Sequence, residues 1–160
     1  MKKLWRLLII PYCYALIFLS VLSAQVFAAV EIGADSGKPV LIGKGLQFFE
    51  DKTNAYSIET IRAKGIEWQI NPDKVFNQGY STSNWWLKFD IKNLGATNNL
   101  VLEISYPVLD YIDIYFEHNN ELIAQYAMGD KLPFDQRPIQ HRLFLAPLEI
   151  ESGQTQTVYI

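Results

Sequence analysis

Over residues 85–92 the chain alternates between two kinds of side chain, and that period of two admits a strand and little else. Trp85, Leu87, Phe89 and Ile91 fall on one side, and Trp86, Lys88, Asp90 and Lys92 on the other, because successive side chains of a strand point to opposite faces. The first set predicts a buried face. The second predicts a solvated face carrying one large aromatic. The period returns downstream, where Leu100, Leu102, Ile104 and Tyr106 lie opposite Glu103 and Ser105. Asp110, Ile112, Ile114 and Phe116 then alternate with Tyr111, Asp113 and Tyr115, an aromatic and acidic face. Pro107, between these two runs, predicts a bend or bulge because it cannot donate to a ladder.

The remaining segments repeat short strands between turn signals, the pattern of an all-β antiparallel sandwich. Residues 29–45 read as a lead-in with a weak strand near residues 40–42, and residues 46–160 read as the sandwich domain. Residues 46–49 predict a short strand, and residues 57–61 one or two helical turns capped by the Ser57 hydroxyl. Residues 66–70 predict a strand ending at the turn Asn71-Pro72-Asp73. His118-Asn119-Asn120-Glu121 predicts a hairpin turn, with residues 122–128 as the returning strand. Residues 129–138 predict an ordered loop, and residues 141–145 a strand with Leu143 and Leu145 inward. Residues 148–150 and 156–160 predict two more strands. The last alternation runs to Ile160 with no turn after it, so the expectation is a sandwich truncated at its C-terminal strand, with a natural edge strand at the terminus as the alternative.

Residues 1–28 have the form of a signal peptide. Lys2, Lys3 and Arg6 precede an apolar run from Leu7 to about Leu22, and Val26 and Ala28 suit cleavage after Ala28. A retained membrane anchor is the alternative, since the run approaches the roughly 18 residues that span a bilayer. Either reading implies export, with a periplasmic location. Cys13, the one cysteine, lies in this segment, so the exported part forms no disulfide. Losing the segment removes three positive charges and no acidic ones, taking the formal net charge from −3 to −6. That balance argues against nucleic acid as a partner.

Trp86 is the leading candidate for ligand contact, because a ring on a polar face can stack on a flat ligand while its N–H donates. Packing beneath a loop is its bland alternative. Asp113, between Tyr111 and Tyr115, is a candidate acceptor for ligand hydroxyls. Arg137, His141 and Arg142 form a basic cluster suited to a carboxylate or phosphate. An equal reading is structural, with an arginine pinning the loop to Asp110 or Asp130. Asp110 and Asp113, three apart, face opposite ways on a regular strand, which argues against a paired-carboxylate glycosidase. His118 and His141 lie in different contexts, so no metal or other cofactor is expected. No phosphate-binding or hydrolase motif occurs.

The ordered pieces GYSTSNWWLKFDIKN, LEISYPVLDYIDIYF, GDKLPFDQRPIQHRLF and PLEIESGQTQTVYI resemble the type 2 extracellular domain of bacterial seven-transmembrane receptors with diverse intracellular signalling modules. The likeness covers about residues 46–160. It implies a jelly-roll-like sandwich akin to carbohydrate-binding modules, displayed in the periplasm ahead of seven membrane helices. It further implies a cytoplasmic output such as a GGDEF diguanylate cyclase or a histidine kinase. The implied ligand is a small molecule, a carbohydrate or a carboxylate. The expectation is therefore a non-enzymatic sensor domain, tethered to the membrane through downstream helices absent from these residues. A protein-interaction module, including a homodimer, and a soluble carbohydrate-binding module are the alternatives.

Overall fold

The computed structural model describes residues 28–33, 38–63 and 65–160. The expected signal segment lies outside the described residues except for Ala28. Among the described residues the strands are β1 (Val30–Ile32), β2 (Gln47–Asp51), β3 (Gln69–Ile70), β4 (Asn84–Asn93), β5 (Asn99–Ile104), β6 (Ile112–His118), β7 (Glu121–Met128), β8 (Phe144–Glu149) and β9 (Thr155–Tyr159). A short helix, α1 (Ile58–Arg62), follows β2, and a 3-10 turn (Phe134–Gln136) lies between β7 and β8.

Two sheets form a β-sandwich. The larger runs in the order β3-β2-β4-β9-β6-β7, with β1 joined in parallel to the end of β4. The smaller pairs β5 with β8. All pairings other than β1 with β4 are antiparallel. The inward faces of β4 and β6 are the ones that alternation predicts. Phe89 and Ile91 meet Ile112, Ile114 and Phe116, and these pack with Val158 of β9 and with Phe144, Ala146 and Leu148 of β8. Trp85 belongs to the same side, where it packs against Phe48 and Phe76 at centroid distances of 6.0 and 5.8 Å. Truncating a ring as enclosed as Phe116 to alanine would cost about 3–5 kcal/mol.

Several local expectations change. The lead-in strand is at Val30–Ile32, not near residues 40–42. Only Gln69–Ile70 pairs in the segment expected as a longer strand. Residues 144–149 form one strand instead of two pieces, with the opposite face inward. Phe144, Ala146 and Leu148 are buried, while Leu143 and Leu145 are half-buried. The apolar residues on both sides of that strand left its phase ambiguous, and packing against Phe89 and Ile114 decides it.

The β6–β7 hairpin turns through Asn119 and Asn120, both with positive φ (52° and 64°), a conformation that asparagine tolerates better than most residues. Pairing shifts between Phe116 and Glu117, opposite Ala124 and Leu122, which leaves Ile123 as an extra residue in β7. That bulge sets which face Gln125 joins.

Candidate functional site: an aromatic groove on the outer sheet face

The outward face of the large sheet is only partly left to solvent, because α1 docks on it. Ile58 and Ile61 pack onto Tyr115 and Tyr159, flanked by Phe49, Ile66, Trp68 and Trp86. A helix this short is not stable alone. Its C-terminal arginine anchors it: Arg62 Nε pairs with the Glu117 carboxylate, and Nη2 donates to the Asn120 carbonyl at 2.6 Å.

The link from β2 to α1 is shaped by Asp51, whose side chain is fully buried. Its carboxylate accepts the Thr53 N–H (3.0 Å), the Thr53 hydroxyl (2.7 Å) and the Tyr56 N–H (2.9 Å). Burial alone would raise its pKa, but these hydrogen bonds outweigh burial and hold it below the ordinary carboxylate value. The Ser57 N–H then donates to Thr60 Oγ1 at 2.8 Å, and the Ser57 hydroxyl donates to Glu59 at 2.6 Å. That second bond lowers the Glu59 pKa.

An open groove of about 370 Å³ lies where this link meets the strands. Tyr56, Ser57, Ile58 and Glu59 line one side, Asn84 and Trp86 come from β4, Asp113 and Tyr115 from β6, and Gln125 from β7. The rings of Trp86 and Tyr115 stack, with centroids 6.3 Å apart and planes 25° from parallel. Trp86 Nε1 is buried and has no hydrogen-bond partner among the described residues. Partial burial raises the pKa of Asp113. Burial also raises that of Tyr115, assisted by the charges of Asp113 and Glu59. Among the described residues no lysine or arginine lines the groove. Lys88 lies nearby but is turned to the rings of Trp68 and Tyr159, at 5.7 and 5.5 Å from their centroids. A second depression, of about 290 Å³, opens beside β5 and β8 around Leu100, Val101 and Pro147. It gathers fewer polar side chains.

The structure thus brings Trp86, Asp113 and Tyr115 together and leaves the other sequence candidates elsewhere. Tyr111 is exposed just before β6 and does not line the groove. Arg137, His141 and Arg142 lie on the β7–β8 connection. Arg137 Nη1 donates to the His141 carbonyl at 2.7 Å, and its guanidinium sits between the rings of Phe134 and Phe144, at 4.9 and 4.6 Å. Its fork therefore engages its own loop, not Asp110 or Asp130. His141 accepts the Leu143 N–H on Nδ1 at 3.1 Å, and Arg142 is exposed. Asp110 and Asp130 join their loops through the main chain: Asp130 N–H donates to the Leu109 carbonyl (2.8 Å), and Lys131 N–H to that of Asp110 (3.2 Å). Gly129 permits this approach, since a Cβ there would lie 2.0 Å from the Asp110 oxygen.

Asn84 could have been found by extending the alternation from Trp86. Gln125 was hidden by the bulge at Ile123, and the 56–59 wall by its dependence on where α1 docks.

Residues 43–160 match the family described as 7TMR-DISM extracellular 2. The chain belongs to this family. The match spans most of the chain and contains the whole groove. No curated protein matches the chain. The 7TMR-DISM extracellular 2 family is one of extracellular sensor domains, not catalytic ones, which is consistent with a place outside the cytoplasm. Among the described residues no helix is long and apolar enough to cross a membrane.

Proposed function

We propose that the outer-face groove is the sensing site of a periplasmic receptor domain and that its ligand is a small neutral polyhydroxylated molecule of the carbohydrate class. The stacked Trp86–Tyr115 pair beside an unpaired indole N–H carries this reading. A buried donor without a partner costs about 1–3 kcal/mol, and a ligand oxygen reaching it would recover that energy. Asp113 and Glu59 accept hydroxyl protons, while the amides of Asn84 and Gln125 can donate or accept. Among the described residues the lining has two carboxylates and no cation, which disfavours a carboxylate ligand, so of the two expected classes the carbohydrate fits better.

In a receptor the domain acts by differential affinity. Binding changes the output only as far as the ligand prefers one arrangement of the domain over another. The groove joins α1, β4, β6 and β7, so a ligand bridging its walls would bias the position of α1 against the sheet. A downstream diguanylate cyclase or histidine kinase would read that bias.

Two-dimensional NMR of the chain, titrated with a panel of mono- and oligosaccharides, tests the proposal. The expected result is saturable shifts at the Trp86 indole and at Gln125, lost in Trp86→Ala while the rest of the spectrum stays folded. Shifts confined to the Arg137–Arg142 region, or saturable binding of acidic ligands alone, would overturn it.

A further inference from the structure

Every strongly exposed aromatic side chain among the described residues lies at one pole of the sandwich. Tyr80 is 99% exposed, Tyr106, Tyr111 and Phe134 are each more than half exposed, and Tyr56 is 39% exposed. Strand directions place them together. Tyr56 follows the end of β2, whose Asp51 pairs with Asn84 at the start of β4, and Tyr80 lies on the loop that leads into β4. Tyr106 and Tyr111 lie between β5 and β6, and Phe134 between β7 and β8. Ile112 pairs with Met128 and Ile104 with Phe144, so those two connections share an end. The Asn54 side chain donates to the Thr82 carbonyl at 3.2 Å, and Asp130 N–H to that of Leu109, tying neighbouring loops to each other. At the opposite pole the exposed apolar residues are aliphatic: Leu94 after β4, and Leu122 and Ile123 in the β6–β7 hairpin.

We infer that the aromatic pole rests on a lipid bilayer surface. Exposed apolar clusters mark interaction sites, and the residue type selects among partners. Tyrosine has an apolar body and a polar tip, the combination enriched where hydrocarbon meets headgroups. The matched family is described as a 7TMR extracellular domain, a description that favours a bilayer over other partners. Within the large sheet β9 runs toward the same pole, with Ile160 hydrogen-bonded to Leu87. Lys131 and Arg142 can meet lipid phosphates, but Asp110, Asp130 and Asp135 on the same loops balance them. The attachment is therefore made by the rings and depends little on salt, unlike a polybasic contact. The groove opens near this pole through Tyr56 and Asn84, so the contact holds it close to the membrane surface. The inference rests on the family and the pole, not on the groove's ligand.

The test uses the full chain with Cys13→Ser and one bimane-labelled cysteine, at Tyr80→Cys or at Leu94→Cys, mixed with vesicles of phosphatidylethanolamine and phosphatidylglycerol that carry a headgroup nitroxide. Any tethering by residues 1–27 is common to both probes, so only their difference is read. Quenching roughly twofold or more greater at position 80 than at 94, unchanged by added salt, is the expected result. Equal quenching, or greater quenching at 94, overturns the inference. So does a chain that stays off the vesicles as a dimer which Tyr106→Ser with Tyr111→Ser converts to monomer, because the pole then binds a second copy.

Discussion

The buried carboxylate of Asp51 accepts the main-chain N–H of Tyr56 at 2.9 Å, so an acid at the end of β2 sets where one wall of the groove begins. Asp51→Ala would leave that N–H and both Thr53 donors without their acceptor. The expected cost is about 2–3 kcal/mol, read as a lower urea midpoint. Because its folded pKa is lowered, the stability Asp51 contributes is present above its unfolded value. It is lost as pH falls through the lower folded value. Wild type should therefore lose more stability in acid than Asp51→Ala does. Parallel acid profiles for the two proteins would refute the role given to this carboxylate.

Trp86→Phe separates the two parts of the proposed indole contact. The substitution keeps a ring beside Tyr115 and deletes a donor that has no partner among the described residues. Stability should hold or rise slightly, since removing an unpaired buried donor carries no penalty of its own. Sugar affinity should fall about tenfold if the N–H donates to the ligand, the equivalent of one lost hydrogen bond. Calorimetry on both proteins decides it, and unchanged affinity would reduce Trp86 to a stacking surface.

Asp113 gives binding a distinctive pH dependence. Its pKa is raised from the ordinary 3.8 by burial, and only the ionised carboxylate accepts from two hydroxyls without a proton in the way. Binding should fall as pH drops through the raised value, earlier than an ordinary carboxylate would dictate. Stability moves the other way, because a raised folded pKa contributes stability below the unfolded value and loses it as pH rises. Asp113→Asn should flatten the binding profile. A wild-type profile that is equally flat would remove Asp113 from the site.

Faces were legible in the sequence where one element decides them. The alternation in β4 separated Trp85 from Trp86 correctly, and that in β6 put Tyr115 with Asp113. What joins those faces was not legible, because β9 comes last in the chain yet lies between β4 and β6. Nothing local to residues 155–159 says that Tyr159 will sit between Lys88 and Tyr115. The basic cluster shows the opposite limit. Arg137 looks like a free fork in sequence, but Phe134 and Phe144 enclose it from segments whose approach depends on the whole β7–β8 connection.

Arg137→Met should therefore act on stability and leave ligand affinity unchanged. It removes the bond to the His141 carbonyl and the contacts with two rings, at an expected cost of about 1–3 kcal/mol. Thermal melts with and without a saturating sugar measure both effects. An affinity loss at unchanged stability would move the basic cluster back into the binding site.

Tyr159 supplies an alkaline signature of how α1 is seated. Burial beneath Ile58 and Ile61, with the charge of Glu117 beside it, pushes its pKa up to about 12, while Arg62 pulls it down. In an ultraviolet titration the Tyr159 phenol should ionise late, toward about 12, and the Tyr115 phenol is raised as well. A raised folded pKa makes its contribution to stability complete below the unfolded value, so stability should decline as pH climbs between those two values. Glu117→Gln removes the charge that most opposes phenolate formation, and with the Arg62 cation still present the late step should move to lower pH. If the late phenol is absent from wild type, or does not respond to Glu117→Gln, α1 does not cover Tyr159 in solution.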